Sequence, residues 1–162
     1  MPCICFNVMR RAIFSAAALI ASTLTAAASG SLDCSIKDKS VQLFLHSGIT
    51  RGMGGPFFDF KAELKISLPN VPKDLQSVTF EMEHLAQRWL DEREAKLVMY
   101  REREGDGPHG SVEVTIETKR VPKAEEDRYA GTYVMEIYET AAEGKPQPKP
   151  IKIRGRISCS AE

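Results

Sequence analysis

Residues 58–68 read FDFKAELKISL, and their reading decides the fold. Phe58, Phe60, Ala62, Leu64, Ile66 and Leu68 alternate with Asp59, Lys61, Glu63, Lys65 and Ser67. Successive side chains of a strand point to opposite faces, so this spacing puts the apolar groups on one face and the charges on the other. A helix would scatter the same apolar residues around its circumference. The period of two predicts a strand with one buried and one solvated face.

The same period recurs along the chain. Val112, Val114 and Ile116 form one apolar row, and Tyr129, Gly131, Tyr133, Met135 and Ile137 form another. Ile151, Ile153, Gly155, Ile157 and Cys159 form the last, opposite Lys152, Arg154, Arg156 and Ser158. Shorter rows fall at Val41, Leu43, Leu45 and at Val78, Phe80, Met82, and residues 97–100 suit a further strand. Turn residues separate the runs: Gly52 to Pro56, Pro69 to Pro72, Glu104 to Pro108, Pro122 to Asp127, and a proline-rich connector over 144–150. About seven strands with one polar face each predict an antiparallel β-sandwich, with a small β-barrel as the alternative. Residues 84–95 admit two readings. Leu85, Trp89 and Leu90 have partial helical spacing, while the flanks favour a hairpin turning at Asp91–Glu94.

The N-terminus predicts destination. Arg10 and Arg11 precede an apolar run from Ala12 to Ala28 that closes on Ala26, Ala27 and Ala28. A basic start, an apolar middle and small residues at the end lay out a cleaved secretory signal peptide over residues 1–28. The run is short and weakly apolar for a spanning helix. Met9, directly before the Arg pair, is an alternative start to Met1. Cys34 lacks the spacing for lipid attachment, because Leu32 stands two residues before it and Asp33 is charged. Residues 29–162 are then one domain, periplasmic or secreted, with no transmembrane anchor after cleavage.

Charge and cysteines narrow the partners. The chain carries 22 Lys+Arg and 22 Asp+Glu, so losing Arg10 and Arg11 leaves a mature net charge of −2. That balance does not suit nucleic acid, whose binders carry a basic excess. Cys34 and Cys159 remain near the two ends. An oxidising compartment predicts a disulfide between them, joining the first and last strands.

Chemistry-bearing motifs are sparse. There is no Gly-x-Ser-x-Gly, and Gly52 to Gly55 lack the Gly-Lys-Ser/Thr that would make a phosphate loop. His46, His84 and His109 share no ligand spacing. No catalytic residue, metal or cofactor is expected. Two features carry functional readings. Lys152, Arg154 and Arg156 stand on one strand face and suit the phosphate or carboxylate groups of an anionic ligand. The competing reading pairs them with Glu113, Glu117, Glu136 or Glu139 across strands. The second feature is an aromatic and Met set, including Phe57, Phe58, Met82, Trp89 and Met99, which is either core or the lining of an apolar cavity.

The resulting expectation is an exported, non-catalytic β module of the cell envelope that binds an envelope or secreted protein partner. Its contact edges would be the loop of Arg51, Gly52, Gly54, Gly55 and Pro56 and the loop from Glu104 to Gly110. The alternatives are a periplasmic carrier of a small apolar ligand and a secreted inhibitor of an envelope-active hydrolase.

Overall fold

The computed structural model describes residues 29–50, 57–124, 127–141 and 143–162. The leader, the two candidate start sites and the Arg51–Pro56 loop lie outside the described residues. Nine strands run in order: β1 (Ser29–Lys37), β2 (Val41–Thr50), β3 (Phe57–Ile66), β4 (Ser77–Glu81), β5 (Leu85–Leu90), β6 (Glu94–Glu102), β7 (Gly110–Arg120), β8 (Asp127–Glu139) and β9 (Ile151–Ala161). They pair as one antiparallel sheet in the order β4-β3-β2-β1-β9-β8-β7-β6-β5. The expected antiparallel all-β class is present, as a single nearly closed, barrel-like sheet.

The strand count exceeds the seven expected because β1 and β5 add to the seven alternating rows. Of the two readings of residues 84–95, the chain takes the hairpin. A single 3-10 turn at Met82–His84 leads into β5, and β5 returns as β6 through a turn at Asp91. Asp91 makes that turn, since Oδ1 accepts the backbone N–H groups of Arg93 (2.7 Å) and Glu94 (2.8 Å).

The alternating rows face inward and merge into one core. Leu45, Leu64, Phe80, Met99, Ile116 and Tyr133 are all but inaccessible. Burying each such side chain stabilises by roughly 1.5–3 kcal/mol. Within the founding stretch, one residue departs from its expected face. Phe57 is 5% exposed and Phe58 is 41% exposed, the reverse of the expected assignment of Phe58. The cause is a bulge: His46 pairs with Lys61 but Gly48 with Phe58, so Asp59 and Phe60 together oppose Ser47. Asp59 sits at φ 49, and the extra residue flips the side-chain parity beyond it. The buried Ser47 hydroxyl lies 3.0 Å from the carbonyl oxygens of both Gly48 and Phe58 and donates into the bulge.

Two devices hold the sheet in its curve. The Cys34–Cys159 disulfide joins directly opposed residues of β1 and β9, 125 positions apart in sequence. Ser31 and Glu162 exchange backbone hydrogen bonds of 3.1 and 3.0 Å just beyond it, so the two ends of the domain are neighbours. At the other seam, the Arg101 guanidinium on β6 donates to the Thr79 carbonyl on β4 and pairs with Glu104.

Over one end of the barrel, the β3–β4 connection folds inward and buries Val71 and Leu75. Arg103 clamps it from the β6–β7 side, with Nε 2.5 Å from Asp74 and Nη2 2.7 Å from Glu139. The guanidinium hydrogen bond holds the Asp74 carboxyl below its usual range.

Candidate functional site: the outward row of the last strand

β9 begins directly after the connector that carries Pro146, Pro148 and Pro150. It pairs with β8 along its whole length, from Ile151 opposite Ile137 to Ala161 opposite Asp127. Its inward residue Gly155 leaves room for the ring of Tyr133. A Cβ there would lie 2.6 Å from the ring and 2.7 Å from Asp38. Tyr133 is buried and its hydroxyl donates to Asp38 Oδ2 at 2.8 Å, tying β8 to the β1–β2 turn. Burial, reinforced by the Asp38 carboxylate, pushes the Tyr133 hydroxyl well above its ordinary pKa.

With the inward side of β9 packed this way, Lys152, Arg154 and Arg156 all stand exposed on the outer face. Their surroundings differ. Lys152 lies opposite Glu136 and bonds it at 2.9 Å. Arg154 lies opposite Val134 and Arg156 opposite Thr132. Among the described residues, no carboxylate lies within ion-pair distance of either arginine. Glu117 stands across Thr132 on β7, two strands from Arg156 and roughly 10 Å away. Glu139 is held by Arg103. The cross-strand neutralisation weighed for the row therefore reaches Lys152 and not the two arginines. Two residues apart on a strand, the arginines are about 7 Å apart along it.

The other candidates resolve separately. The Glu104–Gly110 loop is folded back on Arg103, which donates to the Pro108 carbonyl at 2.5 Å. Of the aromatic and Met set, Phe57, Phe60, Met99, Tyr133 and Met135 are packed in the core. Trp89 stands outward at 55% exposure, opposite Lys96 on β6. Phe44 on β2, at 59%, also stands outward and separates two shallow grooves of ≈ 220 and ≈ 510 Å³. Its position between the inward Leu43 and Leu45 makes that outward register legible in the sequence. A third groove of ≈ 520 Å³ follows the β4–β6 seam, where Asp74, Arg101, Arg103 and Glu104 already pair with one another.

A Ser–Asp–His constellation occurs on β1 and β2. Ser31 Oγ donates to Asp33 Oδ2 at 2.9 Å, and His46 Nδ1 lies 2.7 Å from Asp33 Oδ1. Nucleophilic catalysis needs the base between the hydroxyl and the acid, so that imidazole takes the hydroxyl proton. Here the carboxylate stands between them, an order that anchors side chains across strands. His84 accepts the Glu81 N–H at 3.0 Å and His109 packs against Tyr138, so the three histidines serve three different places. Among the described residues, no group of three His, Cys, Asp or Glu converges to hold a metal. Among them also, no helix is long and apolar enough to cross a membrane.

Fold and site together define an antiparallel, barrel-like β domain, cross-linked at its ends, with two arginines on its last strand that have no ion-pair partner among the described residues. The chain matches no protein-family model, no curated protein and no solved structure.

Proposed function

We propose that the chain is exported and acts in the cell envelope as a non-catalytic binding module that grips an anionic partner with Arg154 and Arg156. The observation that carries this reading is the contrast within one row. Lys152 bonds Glu136 at 2.9 Å, whereas among the described residues neither arginine beside it has a carboxylate within ion-pair distance. Arginine presents a planar fork of donors that matches carboxylate and phosphate oxygens, and a rigid sheet holds two such forks at fixed spacing. The leader-like residues 1–28 and the Cys34–Cys159 bond support work outside the reducing cytoplasm. The packing of Phe57, Met99 and Tyr133 in the core supports binding on the surface over carriage of an apolar ligand inside.

Native mass spectrometry of the protein exported by its own leader, followed by titration with poly-L-glutamate and with polyphosphate, tests the proposal. The expected result is a chain starting near Ser29, two hydrogens short, that binds a polyanion with salt-sensitive affinity. A retained leader, or an apolar molecule released on denaturation, contradicts it.

A further inference from the structure

Two residues of the basic row, Lys152 and Arg154, also lie on an open sheet edge. β9 pairs with β1 only from Ser158 to Ala161, while it pairs with β8 from Ile151 onward. β1 reaches Lys37, level with Arg156, and turns away at Asp38, whose carboxylate lies beside Gly155, so among the described residues β9 runs on past it from Arg154 back to Ile151 with one side unpaired. The direction of the main-chain groups follows from parity. Ser31 and Glu162 exchange both backbone hydrogen bonds, which makes them a hydrogen-bonded pair. Such pairs alternate along an antiparallel ladder, so Ser160 and Ser158 also turn their N–H and C=O groups toward β1. Carried on by twos, Arg156, Arg154 and Lys152 aim theirs the same way; Arg156 meets the end of β1 at Lys37, and among the described residues no strand lies beside Arg154 and Lys152. The inward face is open there too: Ile151 and Ile153 are half-buried, while their β8 partners Ile137 and Met135 are buried.

Resting on the anion-binding reading above, we infer that this edge takes an extended acidic segment of a partner polypeptide as an added antiparallel strand. Main-chain groups supply the bonding and alternate side chains supply the selection, as in other strand additions. The segment that fits alternates acidic and apolar residues. The carboxylate opposite Arg154 meets that guanidinium and the diagonal Arg156 outside, and its apolar groups cover Ile151 and Ile153 inside. A second copy of this chain is the wrong occupant, because two β9 edges brought together antiparallel oppose arginine with arginine. Charged residues on an edge discourage indiscriminate pairing, and here their single sign also chooses the partner. Lys37 and Lys39, exposed at the neighbouring turn, add to the same sign, while Asp38 is engaged by Tyr133.

The test uses a capped octapeptide of alternating Glu and Val, with amide hydrogen exchange of the mature protein as the readout. Binding is expected to slow exchange at Lys152 and Arg154 by at least about tenfold, and the Arg154→Glu/Arg156→Glu variant is expected to lose it. N-methylation of the Glu amides, which face β9 in the added strand, is expected to weaken binding at least about tenfold. N-methylation of the Val amides, which face away, leaves it intact. A peptide that binds equally well with its Glu amides methylated overturns strand addition, as does absence of protection at these two amides. If vesicles containing phosphatidylglycerol bind through Arg154 and Arg156 while the peptide does not, the strand inference falls and the anion-binding reading stands. If reversing both arginines changes the binding of no anionic probe, that reading falls as well.

Discussion

Replacing Tyr133 by Phe removes one hydroxyl from the barrel interior and leaves the ring in place. The hydroxyl donates to Asp38 Oδ2 at 2.8 Å from a fully buried side chain. A hydrogen bond to a charged acceptor contributes about 1.5–3 kcal/mol, and Asp38 regains some solvation when the donor is gone. The expected loss at pH 7 is therefore about 1.5 kcal/mol, or roughly 1 M in the urea midpoint for a domain of this size. The alkaline limb supplies a second signature. Burial and the Asp38 carboxylate raise the Tyr133 pKa above the ordinary tyrosine value of 10.0. The folded state thus keeps a proton that the unfolded chain releases. That stability is fully present below about pH 10 and is lost as pH rises toward the folded value, by up to about 1.4 kcal/mol per pH unit. Tyr133→Phe has no such slope, so the two curves meet near about pH 11. Urea unfolding followed by far-UV circular dichroism at pH 7, 10, 11 and 11.5 measures both effects. Equal midpoints at pH 7 with parallel alkaline limbs would refute the argument.

Three further outcomes follow from the packing. Cys34→Ser with Cys159→Ser opens a 125-residue loop and is expected to cost on the order of 4–5 kcal/mol, read as a large fall in Tm that reductant no longer deepens. Gly131→Ala is expected to cost about 3 kcal/mol and Gly48→Ala less than about 1 kcal/mol by denaturant unfolding. The added Cβ at Gly131 lies 2.0 Å from the backbone oxygen of Glu117, whereas at Gly48 it meets the exposed ring of Phe58, which swings away. Asp74→Asn is expected to flatten the acid limb of stability. The lowered carboxyl pKa of Asp74 contributes stability above about pH 3.8 that is lost as pH falls further, and the amide has none to lose.

Alternation made most of this barrel legible, because each inward row in β3, β7, β8 and β9 is a local property of consecutive residues. It failed where the backbone adds a residue. The bulge at Asp59 depends on how β3 pairs with β2, and nothing in FDFKAELKISL announces it. β1 is less legible although Leu32, Cys34 and Ile36 alternate with polar residues, because it adjoins the apolar run that ends at Ala28. The disulfide was readable from composition and compartment, since two cysteines remain near the ends. The basic row was readable as well, but its neutralisation was not. Which carboxylate faces which cation depends on register between strands far apart in sequence, and that register sets Glu136 beside Lys152 while Val134 and Thr132 face the arginines. The open edge of β9 is likewise a fact about where β1 stops.

The most direct measurement is the affinity of labelled poly-L-glutamate at low salt for the mature protein and two variants. Arg154→Glu/Arg156→Glu is expected to abolish binding. Lys152→Gln is expected to change it less than about threefold, since that charge is already matched by Glu136 at 2.9 Å. Equal losses from both variants, or unchanged binding after reversal of both arginines, would contradict the account.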